Sequence, residues 1–169
     1  MLRANPNLME NSTRFVAEQD SLNAAILGAD ATPDSPEFAL FVKEAVAEMT
    51  TKAGQKCTAM RRLIVPAAQL QMVAEAIGAK LEKITLGDPA DKDTRMGALA
   101  SLSQKADVLE KLAILRTEAR LVHGDPDDLP VDLAGGAYLP PMLLACDDPD
   151  GANAVHAIEA FGPVSTLLP

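Results

Sequence analysis

Between Ser35 and Val65 the sequence prescribes a helix, a stop, a short loop and a strand, and this succession restricts the chain to a small set of α/β layouts. Ser35 is a natural N-cap, Pro36 suits the first helical position, and Glu37 sits where the helix dipole favours negative charge. Phe38, Phe41, Val42, Ala45, Val46 and Met49 then recur at the spacing of one buried helical face. Lys52 is expected in the last turn and Gly54 just past it, so that the helix stops before Cys57. Leu63-Ile64-Val65 follows as a short buried strand.

The rest of the chain repeats this alternation. Residues 1–11 form a ragged start, with Asn5-Pro6 marking a turn. Short strands are expected over Arg14–Glu18 and Ala24–Gly28, separated by the polar segment Glu18-Gln19-Asp20-Ser21-Leu22-Asn23. Pro66 closes the Leu63–Val65 strand and opens a helix whose inward stripe is Leu70, Val73, Ile77 and Leu81. Ile84-Thr85-Leu86 reads as a further strand, followed by a long polar loop from Gly87 to Gly97. Ser101 or Ser103 caps a third helix carrying Val108, Leu112 and Leu115, and Leu121-Val122 resembles another strand. The Asp-, Pro- and Gly-rich stretch from Gly124 to Gly136 is a surface loop, and Tyr138–Leu144 is extended, its prolines arguing for a sheet edge. The tail ends directly after an apolar run, as a piece of something longer would. Strands alternating with helices predict one α/β domain over 1–169, an open, largely parallel sheet flanked by helices.

Composition narrows the function classes. A net charge of −9 argues against nucleic-acid binding and against anionic membrane surfaces. Two cysteines, Cys57 and Cys146, do not make a disulfide framework, which fits a reduced, cytoplasmic setting. His123 and His156 are far apart, and neither cysteine has a metal-ligand spacing, so no metal site is expected. Neither G-x-G-x-x-G nor a phosphate-binding P-loop occurs.

Cys57 sits between a helix end and a strand, where a thiol is held by rigid elements yet reachable. The same position would also suit a small hydrophobe filling a loop-to-core junction. Lys52, Lys56, Arg61 and Arg62 lie close in sequence, and cations favour the thiolate. Cys146, next to Asp147 and Asp148, is the less reactive candidate, since carboxylates raise a thiol pKa. Around Glu18, two carboxylates beside Ser21 and Asn23 fit either a catalytic patch or plain turn chemistry.

Four motifs carry a family resemblance over nearly the whole chain. Gly54-Gln55-Lys56-Cys57 resembles the glycine-glutamine-x-cysteine of the aldehyde dehydrogenase superfamily, and Glu18 resembles its general-base glutamate. Gly87-Asp88-Pro89 with Met96-Gly97 is similar to the GDP…MG loop, and Glu159-Ala160-Phe161-Gly162-Pro163-Val164 to the E-x-F-G-P-V motif. The resemblance implies Cys57 as nucleophile, Glu18 as base, and Glu159 and Phe161 as contacts to the ribose and ring of a nicotinamide cofactor, NADP or NAD.

Within the superfamily the similarity is nearest to the aldehyde dehydrogenase half of the bifunctional phenylacetate-degradation enzymes. The semialdehyde dehydrogenases of the CoA-dependent benzoate pathway compete with them. Where the family usually has Glu-Leu-Gly-Gly, this chain has Glu18-Gln19-Asp20-Ser21, which alters the surroundings of the base but keeps its carboxylate. The resemblance implies a small-molecule aldehyde substrate, CoA-linked, and release of the free acid. It also implies a homo-oligomeric parent enzyme. Residues 1–17 would then be the end of a cofactor domain. The family's dinucleotide-binding segment, oxyanion-hole asparagine and oligomerising tail lie outside this sequence, so the isolated chain is expected to be inactive. A cysteine acyltransferase or hydrolase is the rival class, and would need His123 or His156 beside Cys57.

Overall fold

A computed structural model of the chain describes residues 4–17 and 21–169. After a single-turn helix, α1 (Pro6–Glu10), the elements run β1 (Asn23–Ile26), α2 (Pro36–Thr50), β2 (Met60–Ile64), α3 (Leu70–Leu81), α4 (Leu102–Leu115), β3 (Arg120–His123), β4 (Met142–Ala145), α5 (Ala154–Ala157) and β5 (Val164–Leu168). The strands form one sheet in the order β1-β2-β5-β4-β3. β1, β2, β5 and β4 are parallel, and β3 closes the far side antiparallel to β4. The expected α/β architecture is therefore the one observed.

Helices cover both faces, and the pleat of β4 shows how. Leu143 and Ala145 pack with the stripes of α2 and α3, in a core that holds Phe38, Val42, Met49, Val73 and Ile77. Met142, Leu144 and Cys146 face the other way, into a second core with Val108, Leu112 and Leu115 of α4. Two-sided burial explains why β4 reads as an unbroken apolar run, and in β5 it extends even to the polar Ser165 and Thr166. The caps were local enough to be read correctly: Ser35 accepts from the Phe38 N–H at 3.2 Å, and Ser101 from the Gln104 N–H at 3.2 Å.

Four expectations need correction. No strand forms over 14–17, and Glu18 lies outside the described residues. Ile84–Leu86 contributes only a single bridge, Leu86 to Met96, because the chain turns away at Gly87. Pro66 precedes a short 3-10 turn, Ala67–Gln69, and α3 proper begins at Leu70. The segment carrying Pro140 and Pro141 is not at the edge: β4 lies between β5 and β3, fully buried. Both prolines precede the first ladder residue, so neither removes an N–H from the sheet.

Candidate active site

The nucleophile candidate is reached through an unusual helix end. α2 stops at Thr50, earlier than its pattern suggests, and Lys52 is not in its last turn. Lys52 (φ 55°), Ala53 (φ 51°) and Gly54 (φ 69°) all adopt left-handed backbone conformations in succession. Glycine does so freely, whereas each of the two L-residues costs roughly 1–2 kcal/mol. Tertiary contacts hold them there. Ala53 is buried, and Gly54 packs so closely on the loop before β5 that a Cβ there would fall 2.1 Å from the Gly162 carbonyl oxygen.

Beyond this reversal Cys57 stands in a tight turn, where the Ala59 N–H donates to the Lys56 carbonyl at 3.2 Å. Its thiol is exposed, so the core-filler reading does not hold. The turn is pinned from behind. The Cys57 carbonyl accepts from Ser21 Oγ at 2.6 Å and from Asn23 Nδ2 at 2.6 Å, and Asn23 Nδ2 also reaches Ser21 Oγ at 2.8 Å. Ser21 and Asn23, ambiguous in the sequence, thus anchor the cysteine loop. Among the described residues, no group accepts from the Cys57 N–H. The general-base candidate Glu18 lies outside the described residues.

Three of the four cations near Cys57 in sequence are engaged with other partners. Lys56 Nζ pairs with Glu48 Oε1 at 2.7 Å, and Arg62 donates to the Leu22 carbonyl. Arg61 is almost entirely buried, at 5% exposure, and turned toward the E-x-F-G-P-V loop. Its Nε meets Glu159 Oε1 at 3.1 Å, Nη1 the Gly162 carbonyl at 2.7 Å, and Nη2 the Gly54 carbonyl at 2.7 Å. Its guanidinium carbon also lies 5.4 Å from the centre of the Phe161 ring. Burial lowers the Arg61 pKa from its ordinary value, and the bond to and charge of Glu159, with the charge of Glu48, oppose that. Sequence reasoning did not give Arg61 this role, because two of its partners, Glu159 and Gly162, are about a hundred residues distant.

Glu159 and Phe161 are therefore brought to the nucleophile loop. Phe161 also lines an open cavity of about 810 Å³, together with Gln55, Pro89, Gly97, Gln104 and Tyr138. Three of the four motifs meet there, although Cys57 itself is not part of that lining. Gln55 ties the region to α4 and the segment before it: its Nε2 donates to Gln104 Oε1 at 3.4 Å, and its Oε1 accepts from the Ala100 N–H at 2.8 Å.

Cys146 is wholly buried, and burial pushes its thiol pKa up, with the charges of Glu118, Asp148 and Asp147 adding to the rise against a backbone hydrogen bond at Asp148. The histidines serve elsewhere. The His123 ring lies against Gly78 of α3, and His156 Nε2 is 2.9 Å from the Pro149 carbonyl oxygen. Among the described residues neither is hydrogen-bonded to Cys57, which removes the support for a cysteine–histidine pair.

These motifs, in this arrangement, define a family. The aldehyde dehydrogenase family model matches residues 4–169, and the chain belongs to that family. It is 47% identical to the 3,4-dehydroadipyl-CoA semialdehyde dehydrogenase of Aromatoleum evansii over 99% of this chain and 33% of that relative. It is also 47% identical to the protein MaoC of Klebsiella aerogenes, over 44% of this chain and 22% of that relative. Among solved structures, betaine aldehyde dehydrogenase of Staphylococcus aureus in complex with NAD+ superposes with a TM-score of 0.80, at 28% identity, over 95% of this chain and 31% of that one. The chain spans a third or less of the length of these relatives. Among the described residues, no helix is long and apolar enough to cross a membrane.

Proposed function

We propose that this chain is the nucleophile-bearing part of an NAD(P)-dependent aldehyde dehydrogenase that oxidises a CoA-linked semialdehyde from aromatic-compound degradation to its carboxylic acid. The observation that carries the reading is the meeting of an exposed, rigidly held cysteine loop with the Glu159–Phe161 loop through one buried arginine. The 47% identity to a CoA-linked semialdehyde dehydrogenase supports the substrate class. On this reading residues 1–17 close a cofactor domain that precedes residue 18, in a homo-oligomeric, cytoplasmic parent enzyme.

A nicotinamide cofactor fits the residues present. Among the described residues, nothing donates to Glu159 Oε2, and its side chain is 14% exposed, so one carboxylate oxygen remains for a pair of ribose hydroxyls. The Phe161 ring, facing the open cavity, would pack beside the ring system. When bound, the cofactor would supply the hydride acceptor.

The protein's own part follows from placement. Cys57 Sγ, as thiolate, attacks the aldehyde carbon, and the carbonyl oxygen becomes an alkoxide. The Cys57 N–H, which has no acceptor among the described residues, would be one donor to that oxygen, and one such donor contributes about 3 kcal/mol to the transition state. The tetrahedral alkoxide is a far better hydride donor than the aldehyde, which is why the reaction needs a nucleophile at all. Loss of hydride leaves the acyl group on Sγ as a thioester. Glu18 then takes a proton from water, the hydroxide adds to the thioester carbon, and the C–S bond breaks to release the acid and the Cys57 thiolate. Ser21, only three residues on from Glu18, is bonded to the Cys57 carbonyl, which supports a shared site.

The test is turnover by the intact protein with CoA-linked semialdehydes, followed by reduced-nicotinamide absorbance. Reduction of NADP or NAD, abolished in Cys57→Ala, is expected; no reduction with any semialdehyde ends the reading. Preference between the 3-oxo-5,6-dehydrosuberyl-CoA and 3,4-dehydroadipyl-CoA semialdehydes separates the phenylacetate from the benzoate assignment. The 169 residues alone are expected to bind NADP weakly, and tight binding by them would overturn the view that they are an inactive fragment.

A further inference from the structure

We propose that Arg61 is a positioning residue that sets the cofactor carboxylate and the nucleophile loop in one fixed relation. The proposal rests on the functional reading above and deepens it. Arg61 belongs to β2, an interior strand with parallel neighbours on both sides, so its backbone is held by ladder bonds from both flanks. From that base one planar group satisfies three acceptors on two loops: Glu159 Oε1 and the Gly162 carbonyl on one, and the Gly54 carbonyl on the other. Gly54 lies three residues before Cys57, and the Lys56 N–H shares its carbonyl at 2.9 Å. Glu159 and Phe161 are the two residues that would hold the cofactor, and Arg61 touches both from behind.

A stability role alone is a weak explanation for such a group. Burying an ion pair costs desolvation that its attraction barely offsets, and apolar replacements of similar volume are often as stable. What an apolar side chain cannot do is join three acceptors at fixed angles. The fork geometry of the guanidinium does this, and lysine, a point charge with rotatable donors, does not. By bonding Oε1, Arg61 also fixes the direction in which Oε2 points. A carboxylate free to rotate would have to be ordered anew each time a ribose bound.

The experiment uses the intact protein and three variants: Arg61→Lys, Glu159→Gln, and the pair combined. Circular dichroism and unfolding midpoints establish that each is folded, and Arg61→Met joins the set only if it folds. Two readouts follow: the dissociation constants of NAD+ and NADP by fluorescence titration, and the rate of Cys57 alkylation by iodoacetamide without cofactor. Arg61→Lys is expected to weaken cofactor binding about tenfold and to change the alkylation rate at least about threefold, as loss of charge-assisted bonds implies. Because Arg61 acts through Glu159, Glu159→Gln should cost much less affinity in the Arg61→Lys background than alone. Fully additive losses, or an Arg61→Lys variant matching the unaltered protein in both readouts, overturn the proposal. If the unaltered protein binds neither cofactor, the functional reading fails, and the alkylation rate alone then decides the role of Arg61.

Discussion

Replacing Gly54 by alanine probes the contact on which the candidate site is built. The added methyl would lie 2.1 Å from the Gly162 carbonyl oxygen, 2.6 Å from its carbon and 2.9 Å from the Pro163 nitrogen. All three are backbone atoms, so no side chain can swing aside, and one loop must retreat by at least about 1.3 Å to reach ordinary van der Waals separation. Two costs follow. The left-handed conformation at φ 69° is unfavourable for alanine by roughly 1–2 kcal/mol. The retreat also breaks one of the two Arg61 bonds that bridge Gly54 and Gly162, each 2.7 Å long, and a bond to a charged group contributes about 1.5–3 kcal/mol. The sum is about 2.5–5 kcal/mol. Urea unfolding of the intact protein measures it, with Gly135→Ala as control, where a new methyl meets nothing within 4 Å. A Gly54→Ala loss under about 1 kcal/mol, indistinguishable from an ordinary surface change, would refute the reasoning.

Further predictions concern the thiols, the loop anchor and a helix cap. Ellman's reagent should titrate Cys57 in the native protein and Cys146 only on unfolding, since one is exposed and the other buried; simultaneous reaction of both would contradict the packing of β4. Asn23→Ala removes the 2.6 Å bond to the Cys57 carbonyl, and is expected to cost about 1 kcal/mol of stability but at least about tenfold in turnover. Equal effects on both would make Asn23 merely structural. Glu118 accepts from the Asn153, Ala154 and Val155 N–H groups at the start of α5, and these bonds, Asn153 first, hold its pKa below the ordinary glutamate value. A carboxylate lowered in the folded state adds stability above its unfolded pKa and loses it as pH falls through the folded value. The unfolding midpoints of the unaltered protein and Glu118→Gln should therefore differ at neutral pH and converge as the pH falls below the ordinary glutamate range. A gap that persists on acidification would count against the cap.

What could be read from the sequence was whatever is decided locally. Ser35 and Ser101 cap helices by bonds spanning three residues, and the stripe from Phe38 to Met49 needs only the helical repeat. The family was also legible, because its short motifs stand in order along the chain. What failed depended on distant partners. Lys52 and Ala53 look like a helix end, and become left-handed only because Gly54 must meet a loop more than a hundred residues on. Arg61 looks like an activating cation for Cys57 until Glu159 and two carbonyls claim it. The prolines at 140 and 141 suggest an edge, yet β5, formed last in the chain, inserts between β2 and β4 and makes β4 internal.

The left-handed pair before Gly54 also bears on any attempt to engineer this protein. Lys52 is exposed, so glycine there would relieve backbone strain of roughly 1–2 kcal/mol without emptying any core. A selection for heat resistance would favour that exchange. The gain would come from the segment that delivers the thiol to its place, and a looser approach path would let Cys57 wander from its anchored turn. Thermal robustness and the placement of the Cys57 thiol thus draw on the same few dihedral angles, and in this fold they should be traded against each other at residue 52 before anywhere in the two cores.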